Sequence, residues 1–101
     1  MEYILIERIH EEIDEPNKIY SELDRDRMET RRVEFDPSGM CFAYGDEHGH
    51  EEVLAKEPFP TDLRELETDE DTKAHIIPRQ IFREIWDHAA ESPDSIMTLF
   101  F

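Results

Sequence analysis

The chain has 101 residues, 27 of them acidic and 11 basic, which gives a formal charge of −16. A surface this acidic repels phosphates, so the composition excludes direct binding to nucleic-acid backbones. The single cysteine, Cys41, has no partner for an internal disulfide. No apolar run approaches the roughly 20 residues that span a bilayer, and the N-terminus lacks the features of a signal peptide. We therefore expect one cytoplasmic domain that makes no contact with membranes.

Four strands are predicted in the first half of the chain. Residues 3–9, 18–24, 28–35 and 40–44 combine β-branched or aromatic side chains with alternating polar positions, and turn-forming residues separate them. The run at 3–9 has apolar residues on both faces, which is typical of a strand inside a sheet. Short turns join the later strands in succession, and this predicts an antiparallel meander.

The second half predicts a short strand and a clear helix. Residues 52–55 add a short fifth strand, and Thr61 is placed to cap a short helix. A longer helix begins at Pro78, because proline suits a first helical position. Three apolar residues, Ile81, Ile85 and Ala89, recur every four positions and form a stripe along the helix. Phe82 and Trp86 lie beside this stripe.

The expected fold class is α+β: an antiparallel four- to five-stranded sheet, a meander, packed by a C-terminal α-helix. Residues 1–91 form a single domain, because no linker or composition break divides them. Residues 92–101 form an apolar tail with five large side chains, Ile96, Met97, Leu99, Phe100 and Phe101. Such groups are disfavoured in water, so we expect the tail to pack back on its own chain or to lie at an interface.

One pattern extends over most of this domain. It consists of an Ile-His pair after the first strand, a YSELD-x-x-R-x-E-x-R-x-VE hairpin with a Gly turn, an EP-x-P segment and a final F-x-x-x-W. The matching residues are Ile9, His10, Tyr20 to Asp24, Arg27, Glu29, Arg31, Val33, Glu34, Gly39, Glu57, Pro58, Pro60, Leu63, Phe82 and Trp86. In these residues the chain resembles a family of small acidic bacterial proteins that carries a domain of unknown function.

The resemblance covers about residues 3–88 and leaves the apolar tail outside. The resemblance implies no settled enzymatic activity for this chain. It implies instead an immunity-type role, in which a small acidic protein binds a bacterial toxin and blocks it.

No arrangement typical of catalysis is present in the sequence. Cys41 has apolar neighbours that favour an inert, buried thiol, and Ser21 lacks the Gly-flanked elbow of hydrolases. His48 and His50 lie among acids in a loop, but their spacing matches no established metal motif. We expect a protein that is not an enzyme and has no cofactor. A small metal-binding regulator or enzyme that uses His48 and His50 is retained as an alternative.

The hairpin contains four arginines among five acids. We interpret Arg25, Arg27, Arg31 and Arg32 as members of a cross-strand ion-pair ladder with these carboxylates. Arg31 shares a strand face with apolar residues, and we expect it to be partly buried and paired with a carboxylate.

The leading hypothesis is a stoichiometric inhibitor that binds a basic toxin or nuclease domain, because strong negative charge speeds encounter with a basic partner. The expected contacts are made by Asp14, Glu15, Asp46, Glu47, Glu51, Glu52, Glu67, Asp69, Glu70 and Asp71. Two further alternatives are a phage-type protein that mimics DNA against a host nuclease and a homodimeric accessory joined through the tail.

Overall fold

The computed structural model describes residues 1–9 and 15–99, the last nine of them by their backbone alone. Their elements are β1 (Glu2–Arg8), β2 (Lys18–Leu23), β3 (Glu29–Phe35), β4 (Cys41–Tyr44), a first 3₁₀ helix (Glu51–Val53), a second 3₁₀ helix (Leu63–Leu66), β5 (Thr72–Ile76) and α1 (Arg79–Leu99). No helix in the described part of the chain is both long and apolar enough to cross a membrane.

The strands form one antiparallel sheet in the order β4-β3-β2-β1-β5. The first four strands follow one another as a meander, and α1 packs on the sheet, so the predicted α+β fold is confirmed. β1 lies between β2 and β5. Its apolar residues on both faces had indicated this interior position.

Two local predictions for the second half of the chain are wrong. Residues 52–55 form no strand, because the chain leaves the sheet edge there and the Ala55 amide donates to the buried carboxylate of Glu29. The fifth strand is Thr72–Ile76 instead, which contains too few apolar residues to stand out in the sequence. Asp62, and not Thr61, caps the second 3₁₀ helix by accepting a hydrogen bond from the Arg64 amide.

Each face of the sheet carries its own apolar core. The helix face buries Tyr3, Tyr20 and Val33 beneath α1. The opposite face, which we call the loop face, buries four aliphatic residues, Ile4, Ile6, Ile19 and Leu23. Phe59 and both leucines of the second 3₁₀ helix cover this second cluster. Residues 59–66 therefore cover this face of the sheet as a second helix does in other α+β folds.

The buried stripe of α1 consists of Phe82, Trp86 and Ala89, which are 0%, 6% and 0% exposed. These positions are four and three residues apart, as one face of a helix requires. Ile81, which the sequence placed in the stripe, is 42% exposed. The aromatic side chains thus face the sheet because they bury the largest apolar area.

α1 continues to Leu99, through much of the segment that the sequence assigned to a separate tail. Phe100 and Phe101 lie outside the described residues. Packing of the tail on its own chain or at an interface stays a prediction.

Replacement of a stripe residue tests this packing. We expect Phe82→Ala to lower the free energy of unfolding by about 3–5 kcal/mol, because it leaves a cavity between α1 and Tyr3. Ile81→Ala, the matched control on the neighbouring position, should cost less than about 1 kcal/mol. Denaturant titration of the two variants measures both values. Equal losses would contradict the assigned helix orientation.

Candidate functional site

A buried ion pair joins β2 and β3 beneath α1. Arg31 donates to Glu22 through Nε and Nη2, at 2.8 and 2.7 Å, and the Glu22 side chain is 7% exposed. The guanidinium carbon of Arg31 lies 4.7 Å from the ring centre of Trp86 and 5.2 Å from that of Phe82. The predicted partial burial of Arg31 and its pairing with a carboxylate are therefore confirmed, and the ring faces stabilise the cation further.

A β-bulge in β3 explains how neighbouring charges reach opposite faces of the sheet. Glu22 pairs with Arg31, whereas Leu23 pairs with Glu29, so Thr30 is the extra residue. Its hydroxyl donates to the Glu22 carboxylate at 2.8 Å. Without the bulge, Glu29 and Arg31 would share one face, because side chains alternate along a strand.

The loop face has a second buried network, centred on Glu29. This carboxylate accepts from the Ser21 hydroxyl at 2.6 Å and from Arg32 Nη2 at 2.7 Å. Arg32 also pairs with Glu34 at 3.1 Å. Both carboxylates that pair with Arg32 belong to β3, and the Ser21 hydroxyl links this network to β2. The predicted cross-strand ladder is only partly present among the described residues: Arg31 pairs across the strands with Glu22, whereas Arg25 is exposed and takes part in no ion pair.

Arg27 holds in place the segment that covers the loop face of the sheet. Its guanidinium pairs with Glu2 and donates to the carbonyl oxygens of Phe59 and Pro60, at 3.0 and 2.8 Å. Its backbone has a φ of 63°, the left-handed conformation of a tight turn. Arg27 therefore holds the Pro-rich segment against the sheet, which gives this part of the sequence pattern a structural reason.

These contacts determine which acidic residues remain without an arginine partner. Three arginines, Arg27, Arg31 and Arg32, neutralise carboxylates inside the fold. Four of the 27 acids are the partners in these pairs, so most of the excess negative charge belongs to the other acids.

The Glu22–Arg31 pair makes stability depend on pH. Burial alone would raise the pKa of Glu22, but hydrogen bonds from Arg31, Thr30 and Tyr3, with the charge of Arg31, lower it overall. The folded state thus binds fewer protons at this group than the unfolded state. Its stabilisation is complete above the unfolded pKa of about 4.3 and is lost as the pH falls through the lower folded value.

We expect Glu22→Gln to lower the free energy of unfolding by on the order of 3 kcal/mol at neutral pH, because it leaves Arg31 without its counter-ion. The difference from wild type should shrink below about pH 4. Urea titrations at several pH values measure it, with the exposed Glu84→Gln as control. A difference that stays constant with pH would refute the assigned role of the carboxylate.

Acidic residues predicted to bind a partner fall into two groups at opposite edges of the sheet. The β4 acidic group follows β4 and consists of Asp46, Glu47, Glu51 and Glu52. The β5 acidic group lies before β5 and beside the entry to β2; it consists of Glu15, Asp69, Glu70 and Asp71. All eight residues are exposed. Four inter-strand spacings of about 4.8 Å separate the edges, so the groups do not converge on one point.

The β4 acidic group begins on a strained turn. Gly45 and His48 exchange two backbone hydrogen bonds of 2.9 Å, and both central residues are left-handed, with φ 51° at Asp46 and 71° at Glu47. Such turns usually contain Asn and Gly, and other residues there cost on the order of 1 kcal/mol each. The pKa of Arg31 is raised mainly by its hydrogen bond to Glu22, and the nearby charge of Asp46 raises it further.

Three contacts hold this turn, the β4 loop (residues 45–50), in place. A Cβ at Gly45 would meet the Thr30 carbonyl oxygen at 2.4 Å, and one at Gly49 would meet the Ala43 carbonyl oxygen at 2.5 Å. The His48 ring packs edge-on against Trp86, with centres 5.4 Å apart. The carboxylates are thus presented by a loop that is packed against both the sheet and α1.

Between this loop and α1 lies a cleft of about 360 Å³, which we call the β4 groove. It is bounded by Phe42 to Tyr44, by Glu47 to His50, and by Ala89 and Ala90. Sequence reasoning did not find this groove, because its walls come from segments about 40 residues apart that only the helix packing brings together. Phe42, an aromatic residue of β4 that is exposed in the structure, was the available indication of a groove at this place.

The β5 acidic group surrounds a second cleft of about 420 Å³, lined in part by Arg8, Glu15, Asp69 and Asp71. Asp69 accepts from the Asp71 amide and the Thr72 hydroxyl, so it also shapes the entry to β5.

Two other residues that were predicted to bind a partner, Glu67 and Asp14, belong to neither acidic group. Glu67 is half-buried and accepts a hydrogen bond from the Ala74 amide at 2.9 Å, so its carboxylate protects the outer edge of β5. Asp14 lies outside the described residues, as does His10 of the sequence pattern.

The described residues contain no group of three or more His, Cys, Asp or Glu side chains that could hold a metal ion. The His48 ring contacts Trp86, and His50 lies 3.5 Å from Glu52. Cys41 packs against the helix-face core, and its burial raises the pKa of the thiol. A raised pKa disfavours the reactive thiolate.

The rigidity of the β4 loop can be tested at its second glycine. Gly49→Ala should destabilise the protein at least twice as much as Gly39→Ala, because Gly39 shares a positive φ but has open space around it. Gly49→Ala should also shift the fluorescence of Trp86, the only tryptophan, by displacing His48. An unchanged emission spectrum would contradict the described contact.

Comparison with known proteins places this domain in a family. The family model described as a domain of unknown function (DUF6881) matches residues 2–91, which include the whole sheet and the part of α1 that packs on it. Neither a search of curated proteins nor a search of solved structures gave a match. The chain therefore belongs to the DUF6881 family, which is defined by a domain of unknown function.

Proposed function

We propose that this protein is a cytoplasmic inhibitor that binds a basic partner protein in a one-to-one complex, as an immunity protein binds a bacterial toxin. It performs no catalysis itself. The observation that carries the proposal is the distribution of charge. The half-buried arginines are paired inside the fold, whereas none of the eight carboxylates in the two acidic groups lies within ion-pair distance of a Lys or Arg among the described residues.

Unpaired surface carboxylates repel one another and cost stability in the free protein. A partner that supplies Lys and Arg side chains removes this repulsion, so binding and charge neutralisation are coupled. Toxins that act on nucleic acids have basic clefts for phosphate groups, and carboxylates can occupy the same positions. The inhibitor therefore competes with the substrate of such a toxin.

The packed β4 loop supports this proposal through preorganisation. The backbone that carries Asp46 and Glu47 is already held in place by Gly45, Gly49 and His48, so little backbone entropy is lost when a partner binds. The wide separation of the two acidic groups favours a broad contact surface.

The test begins with capture of partners from host lysate, release by salt, and identification of the released protein. It continues with the purified partner. At low salt we expect the quadruple variant Glu51→Lys, Glu52→Lys, Glu70→Lys and Asp71→Lys to weaken binding roughly 30- to 1,000-fold, and to abolish inhibition of the partner's activity. Calorimetric titration measures the affinity, and these residues avoid the structural hydrogen bonds of Asp69 and Glu67.

A matched control changes the net charge equally at other exposed acids, Glu57→Lys, Glu65→Lys, Glu84→Lys and Asp87→Lys. Compared with the quadruple variant at about 0.1 M salt, it should weaken binding less than about fivefold, because screening at that ionic strength reduces effects beyond about 10 Å. Equal losses in the two variants would refute the assigned surface. A captured partner that is acidic, or whose activity is unchanged at a one-to-one ratio, would refute the inhibitor role. A host nuclease as the partner would favour the DNA-mimic alternative.

A further inference from the structure

The β4 groove combines an apolar floor with an acidic rim. Its accessible floor is formed by small side chains, Ala43 of β4 and Ala90 of α1, with the buried Ala89 behind them, and its volume is about 360 Å³. This lies near the lower end of the range for pockets that bind ligands, about 300–1,000 Å³. The groove therefore accommodates one or two side chains and excludes an added helix or a folded loop.

The charge at the rim is negative and fixed. Glu47 borders the groove from a left-handed turn position, and its side chain has no Lys or Arg within ion-pair distance among the described residues. Asp46 precedes Glu47 in the loop, Glu51 follows the loop, and both are exposed. An anionic occupant would be repelled here, and a neutral apolar occupant would gain no attraction from the Glu47 carboxylate.

One kind of side chain satisfies both parts of the groove. Lysine and arginine have an apolar stem that packs on hydrocarbon surface and a cationic head that remains near polar groups. The stem would cover the alanine methyl groups, and the head would reach the Glu47 carboxylate.

We propose that the β4 groove is the anchor site for a single lysine or arginine side chain of the partner protein. This inference rests on the proposed function for the identity of the donor, a basic protein, but its geometry concerns the groove alone. The β5 acidic group then contributes long-range attraction, while the β4 groove determines which residue of the partner is bound. The anchor is consistent with interfaces in which a few desolvated side chains, often Arg, dominate the affinity.

The groove can be tested without the partner. The probe is N-acetyl-lysine methylamide, added at millimolar concentrations to ¹⁵N-labelled protein at pH 7.5, and the control is N-acetyl-norleucine methylamide, which has a similar stem without the charge. We expect saturable shifts of the backbone amide signals of Ala43, Gly49, Ala89 and Ala90 with the lysine probe. The norleucine probe should produce markedly smaller shifts.

Two variants separate the rim from the floor. Glu47→Gln should weaken binding of the lysine probe roughly two- to fivefold, whereas Glu84→Gln, the same change on the exposed face of α1, should leave it unaltered. Ala90→Leu fills the groove without changing any charge and should abolish the saturable shifts. If the shifts are spread over all acidic residues, do not saturate, and are equal in the Glu47 and Glu84 variants, the cation binds nonspecifically and the anchor site is refuted.

The same variants distinguish this inference from the proposed function. If Ala90→Leu binds the captured partner as tightly as wild type while the quadruple charge reversal does not, the inhibitor role stands and the anchor is refuted. If no basic partner exists but the lysine probe saturates the groove and Ala90→Leu blocks it, the groove is confirmed as a cation site and the inhibitor role fails.

Discussion

The structure depends on one ion pair, Glu22 with Arg31, buried between the sheet and α1. Its two hydrogen bonds of 2.8 and 2.7 Å join β2 to β3, and the cation lies against Trp86 and Phe82 of the helix. A charge in this position must be paired, because an isolated buried ion costs several kcal/mol. The pair therefore fixes the strand register and the helix position together.

The same constraint separates the charges of the molecule. The bulge at Thr30 places Arg31 on the helix face and Glu29 on the loop face, where Arg32 neutralises it. Arg27 holds the covering loop, so three of the four hairpin arginines make contacts that stabilise the fold, while Arg25 stays exposed. The exposed acids then dominate the surface of a chain that has 27 acids against 11 bases.

Sequence patterns identified the meander because its four strands alternate or carry β-branched residues, and because its short turns permit few connections. They failed for β5, a five-residue strand whose pairing depends on β1 rather than on its own composition. They also predicted that the buried face of the helix includes Ile81, whereas it includes the neighbouring Phe82. Both residues are apolar, and only packing against the sheet distinguishes them. The acidic residues were visible in the sequence, but their division into two distant groups was not.

The sequence by itself determined the fold class, the family and the excess of negative charge, because these follow from periodicity, motif and composition. Tertiary structure alone decided that Arg27, Arg31 and Arg32 are partly buried in ion pairs and that the β4 loop meets α1 to form a groove. The reason is physical: burial, the bulge at Thr30 and the contact of His48 with Trp86 arise from residues distant in the chain. Local sequence patterns do not indicate contacts of this kind.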